Sequence, residues 1–381
     1  MTYSIVIPTH NNKVLLKNTL EALNRQRGFS TGSYEVIVVD DGSSDDTWRY
    51  VRGVNETSDL RYFYLKRSAT SCRSRTRNYG WRHARGDVVA FIDSDILVKD
   101  DYLLQLDRCF TKRLDILVIG NRLMLDRPIA TADIVTGKVY TDFRFNPSDF
   151  SILEFRYFLY EVASYNANAI MCPWMQVYSC NMAVAKEWLC KVGGFDERFK
   201  YWGMEDLEIG FALYDKGIQL VINPHLEVLH QYHGTRNDLI VEKNKIAGYE
   251  KNIDYFLAKH PHALRMRRKF AYKFFKGEIS PDKMLIDNDW PKITVDVKDR
   301  KKLPEIKKLL LSFSARDKVK IVVNDFLEDA DIDIWVNLLG MTRSVMKYYP
   351  VSKRLDAGRM VQYLKAEKSR QQHLPSEPVL L

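Results

Sequence analysis

Cysteine is scarce in this chain. There are five in 381 residues, at positions 72, 109, 172, 180 and 190, and no two are spaced C-x2-C. An odd set without a paired framework argues against a disulfide scaffold and a structural zinc site, and reads as the usage of a reduced, intracellular protein. No apolar run approaches the roughly 20 residues that span a bilayer. The opening "MTYSIVIPTHNN" lacks a basic region followed by an apolar one and passes directly into a strand-like run. A signal peptide is therefore not expected, and the expected location is the cytoplasm, at most against the inner face of a membrane. There is no G-x-x-x-x-G-K-[ST] loop and no G-x-G-x-x-G turn, which argues against P-loop and dinucleotide-fold chemistry. "GFSTG", Gly28 to Gly32, fits G-x-S-x-G, but a helix precedes it and a strand follows, the reverse of a nucleophile elbow. No internal repeat or low-complexity tract is visible.

What is present is ordinary for a globular protein: 46% hydrophobic and 28% charged residues, in a length that suits one large domain and a smaller one. The formal net charge of +9 suits an anionic partner such as phosphate, nucleic acid or a lipid surface, without choosing among them. The first third alternates strand and helix signals. "YSIVIPT", "YEVIVVD", "LRYFYL" and "DVVAFID" are apolar runs. Between them lie "KVLLKNTLEALNRQ", with Leu16, Leu20 and Leu23 at helical spacing, the short "TWRYVRGV", and the polar "SCRSRTRNYGWRHA". This alternation predicts an α/β fold with a mostly parallel sheet flanked by helices. Ligands bind such sheets beyond the carboxyl ends of the strands. Those ends carry Thr9, Asp40 with Asp41, and Asp93 with Asp95, and they are expected to meet.

Residues 120–175 read as less regular. "IQLVINP" and "LEVLHQYH" then read as strands, and the character changes after about residue 252. The expected division is a catalytic domain over 1–252 and an appendix over 253–381, a small α or α/β unit built from "ITVDV", "LPEIKKLLLSF", "KVKIVVN" and "DIDIWVNLL", with a frayed tail.

The acids of "VVAFIDSD" need compensation if they are buried. Alone, D-x-D is commonly a turn or helix cap, since aspartate favours both. Beside "PTHNN" and "VDDGSSDDT" it also fits a magnesium or manganese site, in which the ion bridges carboxylate and substrate phosphates.

In this order, "SIVIPTHNN", "YEVIVVDDGSSDDT", "RTRNYGW" and "VVAFIDSD" resemble the nucleotide-sugar half of the GT-A fold glycosyltransferases of family 2. The later "NMAVAKEWLCKVGGFDERFKYWGMEDLEIGFAL" resembles the acceptor-side segment of that group, and is similar to one shared by β-1,4-galactosyltransferases and polypeptide N-acetylgalactosaminyltransferases. The resemblance covers about residues 1–250. It implies a nucleotide-diphosphate sugar donor, UDP-linked, and a glycan, lipid-linked sugar or peptide acceptor. It places Thr9 near the nucleotide, Asp41 on uracil, Arg73 near the diphosphate (with Arg75 and Arg77 as alternatives), Asp93 on the ribose side and Asp95 on a divalent metal. A histidine completes the metal set. His225, His230 and His233 are available, and the spacing from Pro224 favours His230. An imidazole ligand leans toward manganese over magnesium.

In "YWGMEDLEIGFAL", Glu205 and Asp206 also suit the positive N-terminus of a helix. By resemblance, the second acid is the catalytic base of inverting members, which implies Asp206; retaining relatives carry Asn there. Glu205 then hydrogen-bonds donor or acceptor hydroxyls, and Trp202 either stacks on a sugar or packs in the core. The alternatives are a retaining transferase and a non-catalytic nucleotide-sugar module. The stretch His260 to Lys276 has six Lys or Arg, four aromatics and no acid. It reads as a solvated helix packing its Phe residues on the catalytic domain, or as a membrane-surface contact, before nucleic-acid binding. The appendix is expected to serve acceptor recognition, homo-oligomerisation or membrane attachment.

Overall fold

The computed structural model describes residues 1–30, 32–52, 59–143, 152–163, 165–233, 243–263, 268–275, 279, 284–285, 291–312, 319–328 and 345–350. Two compact units emerge. The first comprises 1–144, 174–220 and 226–266, and the second 145–173, 221–225 and 267–381.

The first unit opens with β1 (Tyr3–Thr9), α1 (Lys13–Leu23), β2 (Tyr34–Asp40), α2 (Thr47–Arg52), β3 (Asp59–Tyr64), α3 (Arg73–His83) and β4 (Val88–Ile92). β1, β2, β3 and β4 pair in parallel, with Tyr3 opposite Tyr34 and Val88, and Thr9 opposite Asp40. Every residue of β2 and β4 is buried, as expected of strands covered on both faces. α1 turns Leu16, Leu20 and Leu23 into the core, as its spacing predicts. α3 is polar, yet it lies against β1. A Cβ on Gly80 would come within 2.3 Å of Val6 Cγ1, so glycine permits that approach.

β5 (Ile96–Val98), α4 (Tyr102–Phe110), β6 (Ile116–Met124), α5 (Thr131–Thr136) and α6 (Lys138–Asp142) follow; then, past α7 (Phe155–Val162) of the second unit, β7 (Asn181–Ala185), α8 (Lys186–Val192), α9 (Glu205–Asp215), β8 (Gln219–His230) and α10 (Lys243–Lys259). The sheet order is β3-β2-β1-β4-β7-β6-β8-β5. β7 runs antiparallel to β4 and β6, and β5 antiparallel to β8, so the parallel half gives way to a mixed one.

Two expectations change. The region from 120 is not uniformly irregular, because β6 runs to Met124 inside the sheet. "IQLVINP" and "LEVLHQYH" are not separate strands but one strand of 12 residues, continuous through Pro224. α10 runs unbroken through 252, and its residues belong to the first unit.

The second unit contains α7, α11 (Arg268–Phe275) and a parallel sheet of β9 (Lys292–Val297), β10 (Lys320–Asp325) and β11 (Val345–Pro350), with α12 (Leu303–Ser312) between β9 and β10. Its core is Val295, Val297, Leu310, Val319, Ile321 and Val323, with Leu303 and Ile306 packed against it. In α11, Phe274 and Phe275 are buried while Lys269 and Lys273 are exposed. "DIDIWVNLL" and the tail lie outside the described residues.

No repeat is visible in the sequence, yet the backbone repeats. The order β11-β10-β9 reproduces β3-β2-β1. Phe326 N–H donates to Val297 O (3.0 Å) as Asp41 N–H donates to Thr9 O (2.9 Å). Asp325 and Asp40 each end a middle strand fully buried, and each accepts a backbone N–H, from Leu327 (2.9 Å) and Ser43 (2.7 Å). A β-α-β unit needs matching apolar pattern, not matching residues, so this likeness leaves little trace in sequence.

Candidate active site

The parallel strands end where the sequence places its acids, and those ends meet. Asp41 bonds back to Thr9, and Asn12 Nδ2 donates to Ser94 Oγ (2.9 Å), joining the β1 loop to the "DSD" turn. Asn11, at φ 50°, exchanges hydrogen bonds with Ser43 and Ser44 of the β2 loop.

Beyond β4 the chain turns on an Ile96 N–H to Asp93 O bond (3.2 Å) and enters β5. The β5–β8 register sets Ile96 opposite His230, and Gln231 N–H donates to Asp95 O (2.9 Å). The Asp95 carboxylate thereby lies 3.5 Å from His230 Nε2 and 3.8 Å from His233 Nε2. One ligand atom from each of the three residues falls within 4.8 Å of the others. Asp95 Oδ1 is buried without a hydrogen-bond partner. Burial pushes the His230 pKa down against the pull of Asp95, and Arg122 and His233 reinforce the shift. One carboxylate and two imidazoles fit a divalent cation. His230 is where the sequence places it. His233 joins it, and His225 belongs to the second unit.

The charge of Asp93 has a different answer. Arg77, 2% exposed, donates to Asp93 Oδ1 (3.0 Å) and lies 3.6 Å from Glu205 Oε1 and 3.7 Å from Asp206 Oδ1. Burial raises the Asp93 pKa, but the Arg77 charge and hydrogen bond outweigh it, helped by Arg73 and His230, and hold it below the carboxylate norm. One guanidinium does not serve three acids equally. Burial and the neighbouring Asp206 raise Glu205 above its ordinary value despite Arg77. Ser179 Oγ donates to Asp206 Oδ1 (2.5 Å). The third acid of the first turn, Glu208, is bound by Lys259 (2.5 Å) and His260 (2.9 Å) of the α10 region.

At the other end, Asp41 carries Arg67 at 3.1 Å and Arg75 at 3.9 Å. Its neighbour Asp40 is structural, accepting from Tyr62 OH (2.5 Å) and Ser43 N–H. Of the three arginines considered from sequence, Arg77 is locked in carboxylates, Arg75 is near Asp41, and Arg73 is exposed with its charge felt at Asp93 and Glu205. Trp202 is 40% exposed, not core. Among the described residues, Thr9 Oγ1, Asp41 Oδ1, Asp95 Oδ1, Arg77 Nε and Nη1, and Glu205 Oε2 are buried polar atoms without a hydrogen-bond partner. These six stand around the carboxyl ends of the parallel strands, where ligands bind in such sheets. Sequence reasoning missed Ser179, Arg67 and Gln231. His233 carried a signal, a second histidine three residues on.

A mixed sheet with acids at its parallel strand ends, and an acid pair opening a helix beside them, defines the GT-A class of nucleotide-sugar folds. Residues 4–180 match the family model "Glycosyl transferase family 2", and residues 162–234 match "N-terminal domain of galactosyltransferase". Over residues 4–180 the chain is thus similar to the family 2 glycosyltransferases, and it continues the match to residue 234 in a galactosyltransferase-type segment. It is 33% identical over 231 residues to chondroitin synthase of Pasteurella multocida (strain Pm70), covering 56% of this chain and 23% of that one. It is 27% identical over 282 residues to validoxylamine A glucosyltransferase of Streptomyces hygroscopicus subsp. jinggangensis (strain 5008), covering 68% of this chain and 61% of that one. The chain thus spans only part of the length of these relatives. Among solved structures, S. aureus TarS 1–349 aligns with a TM-score of 0.48 at 13% identity, over 72% of this chain and 70% of that chain.

Proposed function

We propose that this chain transfers a sugar from a UDP-linked donor to a hydroxyl of a glycan, lipid-linked or peptide acceptor, with inversion at the anomeric carbon. The observation that carries the reading is Arg77, whose one guanidinium reaches Asp93 at the donor-side strand end and both acids that open α9. Donor end and candidate base therefore share one charged cluster.

In this reading Thr9 and Asp41 receive the nucleobase, since both keep a buried oxygen without a partner at adjoining strand ends. Asp93 meets the ribose, and the exposed Arg73 adds positive charge beside the diphosphate. Asp206 is the base. It takes the acceptor hydroxyl proton as the new bond to the anomeric carbon forms and the bond to the diphosphate breaks. A carboxylate suffices, because the hydroxyl becomes acidic only as it attacks. Ser179 fixes one Asp206 oxygen and leaves the other for that proton. Glu205, with its raised pKa, hydrogen-bonds sugar hydroxyls. Asp95, His230 and His233 would hold the divalent ion, with manganese favoured over magnesium by the two nitrogen ligands. Bound there, the ion would supply charge stabilisation to the leaving diphosphate. The second unit serves acceptor recognition or oligomerisation.

The test is Asp206→Asn, which keeps size and most hydrogen bonding. Single-turnover transfer is expected to fall by roughly 10²–10⁴ with UDP-sugar affinity retained. Transfer at the wild-type rate would remove Asp206 from the role.

A further inference from the structure

We propose that Gln231, which is not itself a metal ligand, is a positioning residue that pre-assembles the metal site from α1. This rests on the metal reading of Asp95, His230 and His233 given above. The three ligands come from two arms, the β4–β5 turn and the end of β8. Nothing in either arm's own sequence dictates that they meet.

Gln231 lies between the two histidines and is 3% exposed. Its backbone N–H donates to Asp95 O at 2.9 Å, which ties the histidine arm to the aspartate arm directly. Its side chain is fully engaged with α1. Oε1 accepts from Asn18 Nδ2 (2.8 Å), and Nε2 donates to Leu15 O (3.0 Å) and Thr19 Oγ1 (3.4 Å). The same helix holds the other arm: the Thr19 hydroxyl donates to Ser94 O (3.0 Å), one residue before Asp95. Asn18 is fixed in turn by the Thr131 hydroxyl (2.8 Å). One buried turn of α1 therefore grips the residue adjoining a ligand in each arm, and the ligand atoms stand within 4.8 Å of one another. A pre-assembled site forgoes the ordering cost that a loose one would bear on binding, and partners that orient ligands typically govern affinity.

A purely structural role for this network would affect stability alone. The distinguishing measurement is calorimetric titration of the full chain with Mn2+ alone, without nucleotide, beside the metal-free melting temperature. Gln231→Met keeps length and removes the hydrogen bonds to α1. Its Mn2+ Kd is expected to weaken roughly 10–100-fold. Thr19→Val, which cuts the link to Ser94, should also weaken it, and the two effects should be less than additive because they break one network. Asp95→Ala is the reference for loss of a ligand.

If Gln231→Met melts lower but binds Mn2+ as wild type does, Gln231 is structural and the proposal fails while the metal reading stands. If wild type does not bind Mn2+, or Asp95→Ala binds it normally, the metal reading itself fails and takes the proposal with it. Should Gln231→Met not fold, Thr19→Val carries the test, and an unchanged Kd there overturns the proposal.

Discussion

Glu205 shows what the site costs at the scale of one residue. It is buried beside Asp206, its Oε2 has no hydrogen-bond partner, and its nearest positive charge, on Arg77, is also claimed by Asp93 and Asp206. Desolvation and the Asp206 charge raise its pKa. A group whose folded pKa is raised contributes stability in full below its unfolded value, about 4.3 for Glu, and loses it as pH rises through the folded value. Glu205→Gln should therefore match wild type in stability at acid pH and exceed it near neutrality, by about 0.5–2 kcal/mol, the range of a typical stabilising substitution. Thermal unfolding across pH checks this. A variant less stable than wild type at neutral pH would mean the charged form is held favourably. The identity of the acids was legible in "IDSD" and "GMED". Their shared counter-ion was not, since "SCRSRTRNYGW" offers three arginines and only packing singles out Arg77.

At the scale of an element, α9 is launched by an unusual turn. Gly203 and Met204 both have positive φ, 82° and 73°. α10 holds this turn in place: Asn252 Nδ2 donates to Tyr201 O (3.1 Å) and Gly203 O (2.7 Å). A Cβ on Gly203 would lie 2.7 Å from the Tyr249 ring, so both backbone and space require glycine. Gly203→Ala should destabilise the protein by about 1–3 kcal/mol, the usual cost of such strain. It should lower transfer with little change in UDP affinity, because the proposed nucleobase residues, Thr9 and Asp41, stand at the ends of β1 and β2. Denaturant unfolding alongside UDP titration tests this, and wild-type stability with wild-type turnover would count against it. The lettering "YWGMED" announced a helix start but not the turn, because the reason for the glycine is an aromatic ring on α10.

At the scale of the molecule, the second sheet repeats the β1–α1–β2–β3 topology without its chemistry. Where β1 and β2 present Thr9 and Asp41, β9 and β10 present Val297 and Phe326. Neither replacement can hydrogen-bond a nucleobase through its side chain. UDP should therefore bind with one site per chain in a calorimetric titration. A stoichiometry of two would show that the second sheet is competent. Among the described residues no helix is long and apolar enough to cross a membrane.

The sequence by itself determined the parallel half of the sheet, the core face of α1 and the positions of the acids. Each of these is written in local pattern: continuous apolar runs for strands buried on both faces, helical spacing for Leu16, Leu20 and Leu23, and polar residues where the runs stop. It narrowed the histidines of the candidate metal site to a few. Only the tertiary structure decided that His233 stands with His230, that Arg77 rather than Arg73 closes the acid cluster, that β6 enters the sheet and that β8 is one strand. Those outcomes depend on register and on contacts between segments far apart in the chain, such as Ile96 opposite His230 and Arg77 beside Asp206. Such contacts are selected by how surfaces fit once the chain has collapsed, and no local spacing encodes them.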